Sequence, residues 1–177
     1  MGVKNYLIEG VSGTGKTAVA EELQRRGYHV IHGDRELKYR GNPETNEPIE
    51  EPAHSSETDK AEWRQKHLCW DINKINAVIT DHRVPTSFFC GGSRNRHHFV
   101  NKLDGVFILE VDDINELFRR MDERVARDPT DFGGKPEEKD LVARLHATKA
   151  DIPEEGITID ATAPLERVVD EILEQCS

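Results

Sequence analysis

One stretch constrains this chain more than any other: Gly10-Val11-Ser12-Gly13-Thr14-Gly15-Lys16-Thr17. It matches G-x-x-x-x-G-K-[ST] in full, a pattern that has meaning only between a strand and a helix. Both neighbours are legible. Val3 to Glu9 carries Tyr6, Leu7 and Ile8 and predicts a strand, while Lys16 to Arg26 has Ala18, Val19 and Leu23 at helical spacing. A strand that enters a glycine-rich turn and opens a helix is the setting of a phosphate-binding loop. Glycines permit positive φ and close approach of backbone to ligand. Successive N–H groups then converge on an anion at the positive end of the helix. The expected ligands are ATP and Mg²⁺. Gly10, Ser12, Gly13, Thr14 and Gly15 would cradle the phosphates, Lys16 would reach the β- and γ-phosphates, and the Thr17 hydroxyl would ligate the metal.

After the first helix, which stops at Gly27, the chain keeps an alternating rhythm. Strands are expected at Tyr28–His32, Val84–Cys90, Val106–Val111 and Gly156–Asp160. A helix capped by Asp59 and running to about Asp81 would place Leu68, Ile72, Ile75 and Ile79 on one face. Trp63 and Trp70, seven apart, would share a face of that helix and pack it. Ser93 would cap a short helix to Lys102 bearing the exposed pair His97-His98. Asp112 or Asp113 would cap a helix carrying Leu117 and Met121, another helix would span Glu137 to Ala150, and a last one would carry Val168, Val169 and Ile172. From Glu36 to roughly Thr58 the chain is polar and proline-punctuated, a long, partly mobile excursion rather than a linker. The expectation is one α/β domain over 1–177, with a parallel, five-stranded sheet between helical layers and ligands at the carboxyl ends of its strands.

Composition narrows the partners. The 177 residues suit one full core. Lys plus Arg number 24 against 34 Asp plus Glu, a net charge of −10, which argues against nucleic acid and anionic membrane surfaces. No apolar run reaches signal-peptide or membrane-span length, and Cys69, Cys90 and Cys176 are odd in number and widely spaced. These point to a cytoplasmic protein with reduced thiols, a monomer or homodimer acting on a small molecule. The eight histidines show no metal-binding spacing.

The strand ends carry the remaining chemistry. Asp34, at the end of the second strand, can hold a substrate hydroxyl, accept its proton or reach Mg²⁺ through water. Gly91-Gly92 lets a ligand approach the backbone, and Arg94, in the first turn of the expected helix, can clamp its anionic group bidentately, with Arg96 a weaker candidate. Arg120, Arg124 and Arg127 share a helix face that leads into a loop hinged by Pro129, Gly133, Gly134 and Pro136. Arginines there suit a lid over about 119–137 that neutralises a transferring phosphoryl group and excludes water.

In this order the residues resemble the small P-loop kinases: nucleoside-monophosphate, shikimate and gluconate kinases. Gly10–Thr17 is similar to their phosphate loop, and Asp34 to the substrate-binding aspartate of shikimate kinases. Gly91-Gly92 resembles their substrate-side glycines, and Arg94 the arginine closing the third-strand motif of nucleotide kinases. Arg120-x-x-x-Arg124 resembles their R-x-x-x-R. Ile159 to Leu165, with Ala161 and Pro164, resembles the segment that packs on adenine. The third strand ends in Cys90-Gly91-Gly92-Ser93-Arg94 where nucleotide kinases have D-G-F-P-R, and His32 stands where shikimate kinases have a second acid. The resemblance implies a three-layer α/β/α P-loop NTPase fold with a lid. It also implies transfer of the γ-phosphoryl of Mg-ATP to a small molecule, a nucleoside or nucleotide first. Lys16, Asp34, Arg120 and Arg124 would carry the transfer, and Asp34, Gly91, Gly92 and Arg94 the acceptor. The alternatives are a shikimate- or gluconate-type metabolite kinase and a regulatory ATPase.

Overall fold

The computed structural model describes residues 3–176. Its main sheet has five strands: β1 (Lys4–Gly10), β2 (His29–His32), β5 (Thr86–Cys90), β6 (Gly105–Glu110) and β7 (Ile157–Asp160), in the order β2-β5-β1-β6-β7. All four pairings are parallel. Such a sheet is covered on both faces, so its strands read as apolar runs. Alternation along them splits the core in two. Tyr6 and Ile8 of β1 and Phe88 of β5 face one layer, with Leu23 of helix α1 (Lys16–Arg25) and Val169 and Ile172 of α7 (Leu165–Gln175). Leu7 and Phe89 face the other, with Ile31, Trp70, Ile75 and Phe99.

The strand order puts β1 at the centre. The chain leaves it through α1 for the far edge, returns to β5 on one side, then crosses to β6 on the other. That reversal opens a crevice at the carboxyl end of β1, the place where such sheets bind ligands. The helices α5 (Ile114–Arg127) and α6 (Pro136–Thr148) flank it, with the 128–135 loop between them. Asp113 caps α5 by accepting from the Asn115 N–H at 2.9 Å.

The long helix expected from Asp59 to Asp81 is instead two helices and a strand. Helix α3 (Glu57–Lys66) is capped by Ser56, whose hydroxyl accepts from the Asp59 N–H, so Asp59 lies one turn inside. Leu68–Trp70 then forms β4, antiparallel to β3 (Lys38–Arg40), and α4 (Ile72–Ile79) starts afresh. Two local facts defeat the periodicity. Asp71 caps α4 by accepting from Asn73 and Lys74 N–H, and the buried Asn95 side chain bonds both the N–H and the carbonyl of Trp70, each at 3.0 Å. Leu68 keeps helical spacing to Ile72 yet belongs to the strand.

Trp63 and Trp70 therefore share no helix face. Trp63, half-buried on α3, stacks on His67 at 4.5 Å. Trp70 is fully buried, stacks on Phe99 at 5.8 Å and presses its indole on Gly33, where a Cβ would stand 2.1 Å from the ring. Gly33 itself opens the short helix α2 (Gly33–Glu36), which ends in the turn to β3. The 36–58 excursion is also tied down, by the β3–β4 pairing, the Gly41–Pro48 bridge and a Tyr39 hydroxyl donating to the Asn46 carbonyl at 2.7 Å. The expected helix from Ser93 to Lys102 is two 3₁₀ turns, Arg96–His98 and Val100–Lys102, and Arg94 precedes both. No described helix is long and apolar enough to cross a membrane.

Trp70→Ala should cost about 3–5 kcal/mol by removing a buried aromatic, whereas Trp63→Ala should cost about 1 kcal/mol, the scale of a stacked pair. Chemical denaturation of the two variants checks the difference.

Candidate active site

The phosphate loop is built by contact as much as by conformation. Gly13 and Gly15 lie at φ 90° and 102°, a region a side chain would strain, and Gly15 starts α1 with no side-chain cap. The loop is closed by buried Thr14, whose N–H and hydroxyl both donate to the Val11 carbonyl, at 3.2 and 2.9 Å. The Lys16 ammonium donates to the Gly10 carbonyl and so folds back over the loop. Thr17 is exposed at the first turn of α1.

Beside this loop lies a small recess lined by Lys16, Thr17, His32, Gly33, Asp34, Cys90 and Gly91, among others. The topology explains it: β2 and β5 are neighbours, so their carboxyl ends bring Asp34 and Gly91 together. The Asp34 Oδ1 stands 3.5 Å from where a Gly91 Cβ would be. Asp34 is exposed and forms no ion pair or side-chain hydrogen bond among the described residues. Arg35, its chain neighbour, turns instead to Glu21 at 3.9 Å.

A cleft of about 1050 Å³ opens from this recess in two directions. In one direction, Arg120 donates to the Thr14 carbonyl at 3.1 Å and the Ala161 carbonyl at 2.8 Å, joining the phosphate loop to the turn after β7. Its third bond is to Glu116 at 3.0 Å. Ala161, Ala163, Leu165 and Val168 line that end; Pro164 caps α7 and lies outside the lining. Arg124 donates to the Phe132 carbonyl at 2.6 Å and holds the 128–135 loop down, while its Nε is buried with no partner. Arg119 is spent on Glu116 and Glu123, and Arg127 donates only weakly to the Glu123 carbonyl.

The other direction is lined by Lys38, Arg40, Lys60, Arg64 and Gln65. Arg64 pairs with Glu51 at 2.8 Å. Arg40 has no ion pair among the described residues, and burial, then the Arg64 charge, pulls its pKa down. Two lining residues, Lys135 and Glu57, pair at 2.9 Å, and outside the lining Arg144 of α6 pairs with Glu62 of α3 at 2.8 Å.

Beneath Gly91-Gly92 sits a group that motif reasoning missed. Glu9, the last residue before the phosphate loop, is 1% exposed, and a Cβ on Gly92 would stand 2.3 Å from its Oε1. Glu9 Oε2, Ser93 Oγ, Arg94 Nε and Asp151 Oδ1 are all buried without partners. Burial pushes the Glu9 carboxyl up to about 7, against the opposing pull of Lys16, Arg94 and Arg96. Burial likewise pulls the Arg94 guanidinium down. Arg96 is a tether, donating to the Asp151 carbonyl at 2.9 Å and more weakly to that of Ser93. The available signal for Glu9 was an acid inside an otherwise apolar strand.

A family model described as "AAA domain" matches residues 7–142. No curated protein matches the chain. Among solved structures it is similar to a gluconokinase from Sinorhizobium meliloti 1021, at 19% identity and TM-score 0.54, over 97% of this chain and 90% of that one. A shikimate kinase from Acinetobacter baumannii in complex with shikimate gives 16% identity and TM-score 0.54, over 98% and 93%. A deoxyadenosine kinase from M. mycoides with bound dATP gives 13% and 0.51, over 98% of both chains. At these identities the likeness shows the fold.

The buried Glu9 has a measurable consequence for stability. Between its ordinary value of 4.5 and about 7, the native chain keeps a proton that the unfolded chain has lost. Stability contributed by Glu9 should therefore fall as pH rises through that window, by about 3 kcal/mol in all. Glu9→Gln should lose this slope, seen as the difference between the two proteins' denaturation midpoints at each pH.

Proposed function

Because the chain belongs to the AAA domain family, we propose that it is a small-molecule kinase, moving the γ-phosphoryl group of ATP to an acceptor seated at Asp34. The observation that carries this is the shared recess of Lys16, Thr17, Asp34 and Gly91, with the Asp34 carboxylate free of any protein partner among the described residues. Loop N–H groups at the start of α1 would bind the β- and γ-phosphates. Lys16 would leave the Gly10 carbonyl for them, and Arg120, held on Thr14 and Ala161, fixes the loop relative to the base end. Arg124, which lines the cleft and has a Nε without a partner, would offer charge to the transferring group. The loop between α5 and α6 is read as the lid that excludes water.

Mg²⁺ fits this recess. The Thr17 hydroxyl and Asp34 carboxylate are oxygen donors with no protein partner among the described residues, and an ion of this kind takes one or two protein oxygens plus phosphate. No described group of three or more His, Cys, Asp or Glu side chains is arranged to hold a metal, so the nucleotide would bring it. When bound, it supplies neutralising charge at the β- and γ-oxygens. Asp34 then has one further task, to hold or deprotonate an acceptor hydroxyl.

The acceptor side favours a negatively charged molecule. Lys38, Arg40 and Lys60 line it, with Arg64 already paired to Glu51, in a chain of net charge −10. A nucleoside monophosphate or a hydroxylated carboxylic acid suits those cations better than a neutral nucleoside. The folds named gluconokinase and shikimate kinase add weight to the second class.

The test is ADP release with Mg-ATP against nucleosides, nucleoside monophosphates, shikimate and gluconate. Turnover should require one acceptor class, and Lys16→Ala should lower it by about 10²-fold or more. Asp34→Asn should lower kcat by about 10²–10⁴-fold for a hydroxyl acceptor and much less for a phosphate acceptor, which needs no base. Hydrolysis indifferent to every acceptor, yet lost in Lys16→Ala, would replace this reading with an ATPase.

A further inference from the structure

Glu9 is ionisable, buried and unused by the phosphate loop that begins at the next residue. Strand alternation turns it to the Leu7 face, away from α1 and α7, and there its carboxyl rests on the backbone of Gly92. Four charged groups face it: Lys16 from α1, Arg94 and Arg96 from the exit of β5, and Asp151 from the turn after α6. Two of them are held in place: Arg96, which keeps its full charge, donates to the Asp151 and Ser93 carbonyls, and Asp151 Oδ2 accepts from Gln65 at 3.2 Å. The other two also keep their charge. Lys16 rests on a neutral carbonyl, and Arg94, whose Nε has no partner, forms no ion pair among the described residues. Neither cation touches Glu9 in an ion pair, so each acts on its carboxylate across a dry interior, where charge reaches furthest.

We infer that Glu9 is a positioning residue shared by both halves of the cleft: its buried carboxylate is the common counter-ion of Lys16 and Arg94, and it takes up a proton when a triphosphate occupies the loop. The inference rests on the nucleotide-binding part of the proposed function. The step is simple to balance. A polyanion enters on the far side of Lys16 and draws the ammonium to itself, so the carboxylate loses one stabilising cation and gains a like-charged neighbour. Both changes favour its neutral form. A proton from buffer moves onto the carboxyl, and Oε2, the oxygen without a partner, is the open place for it. Arg94 is then left without its counter-ion at the moment ATP is bound, and its charge becomes available to the anionic group of the acceptor. Proton uptake on the nucleotide side thus prepares the acceptor side.

The experiment is calorimetric titration with Mg-ATP, whose phosphates are already fully ionised at about pH 7.5. Titration in two buffers of different ionisation enthalpy, HEPES and Tris, reads the protons exchanged on binding. The parent should take up about half a proton per ATP bound, and Glu9→Gln should bind Mg-ATP with none. Arg94→Gln, which removes one of the three cations that act on Glu9, should move the pH of greatest uptake upward. Equal uptake in the parent and Glu9→Gln would overturn the inference. So would a parent that binds Mg-ATP without proton uptake, an outcome that needs no variant to fold. A parent that fails to bind Mg-ATP at all would sink the nucleotide reading itself, and this inference with it.

Discussion

The cleft depends on burial of β1 from both sides. A central parallel strand flanked by β5 and β6 has no wet face, so its backbone is fixed by two ladders and its side chains by two cores. That rigidity is what allows the loop after it to be fixed through glycines at positive φ rather than floppy. The loop's anion-binding geometry is preorganised, with Thr14 already bonded to Val11 and Arg120 already seated on the Thr14 carbonyl. It also explains why a carboxyl group can be kept dry next door. The strand that holds Leu7 and Ile8 in place holds Glu9 in place too.

Much of this was legible because local chemistry and global fold agree. The G-x-x-x-x-G-K-T pattern, the apolar strands and the Asp113 cap each read the same way alone and in context. The main sheet follows from alternation, and so does the meeting of Asp34 with Gly91 once β2 and β5 are neighbours. What escaped was decided by partners distant in sequence. Leu68-Cys69-Trp70 looks helical beside Ile72 and Ile75, yet Lys38–Arg40 claims it as a strand and Asn95, after β5, holds Trp70. No window of sequence contains those partners.

The candidate site shows the same division. Lys16, Thr17 and Asp34 are readable because their roles come with a spacing or a strand end. Glu9 has neither; its meaning comes from Gly92, Arg94 and Asp151, which lie more than eighty residues away. Gly92 is a clear case. Its lack of a side chain looked like room for a ligand, and the structure fills that room with the Glu9 carboxyl. Trp70 likewise spends its indole on Gly33 and Gly91, packing the floor of the recess from below.

The ion pairs between α3 and α6 carry a consequence for how these elements are held. Lys135 caps α6 and Arg144 belongs to it, Glu57 and Glu62 belong to α3, and both pairs are solvent-exposed. Exposed pairs are weak one by one, so they cannot lock the cleft. Side by side they still tie α3 to α6 and to the loop before it, so the contacts between these elements weaken with added salt while the buried core beneath them does not.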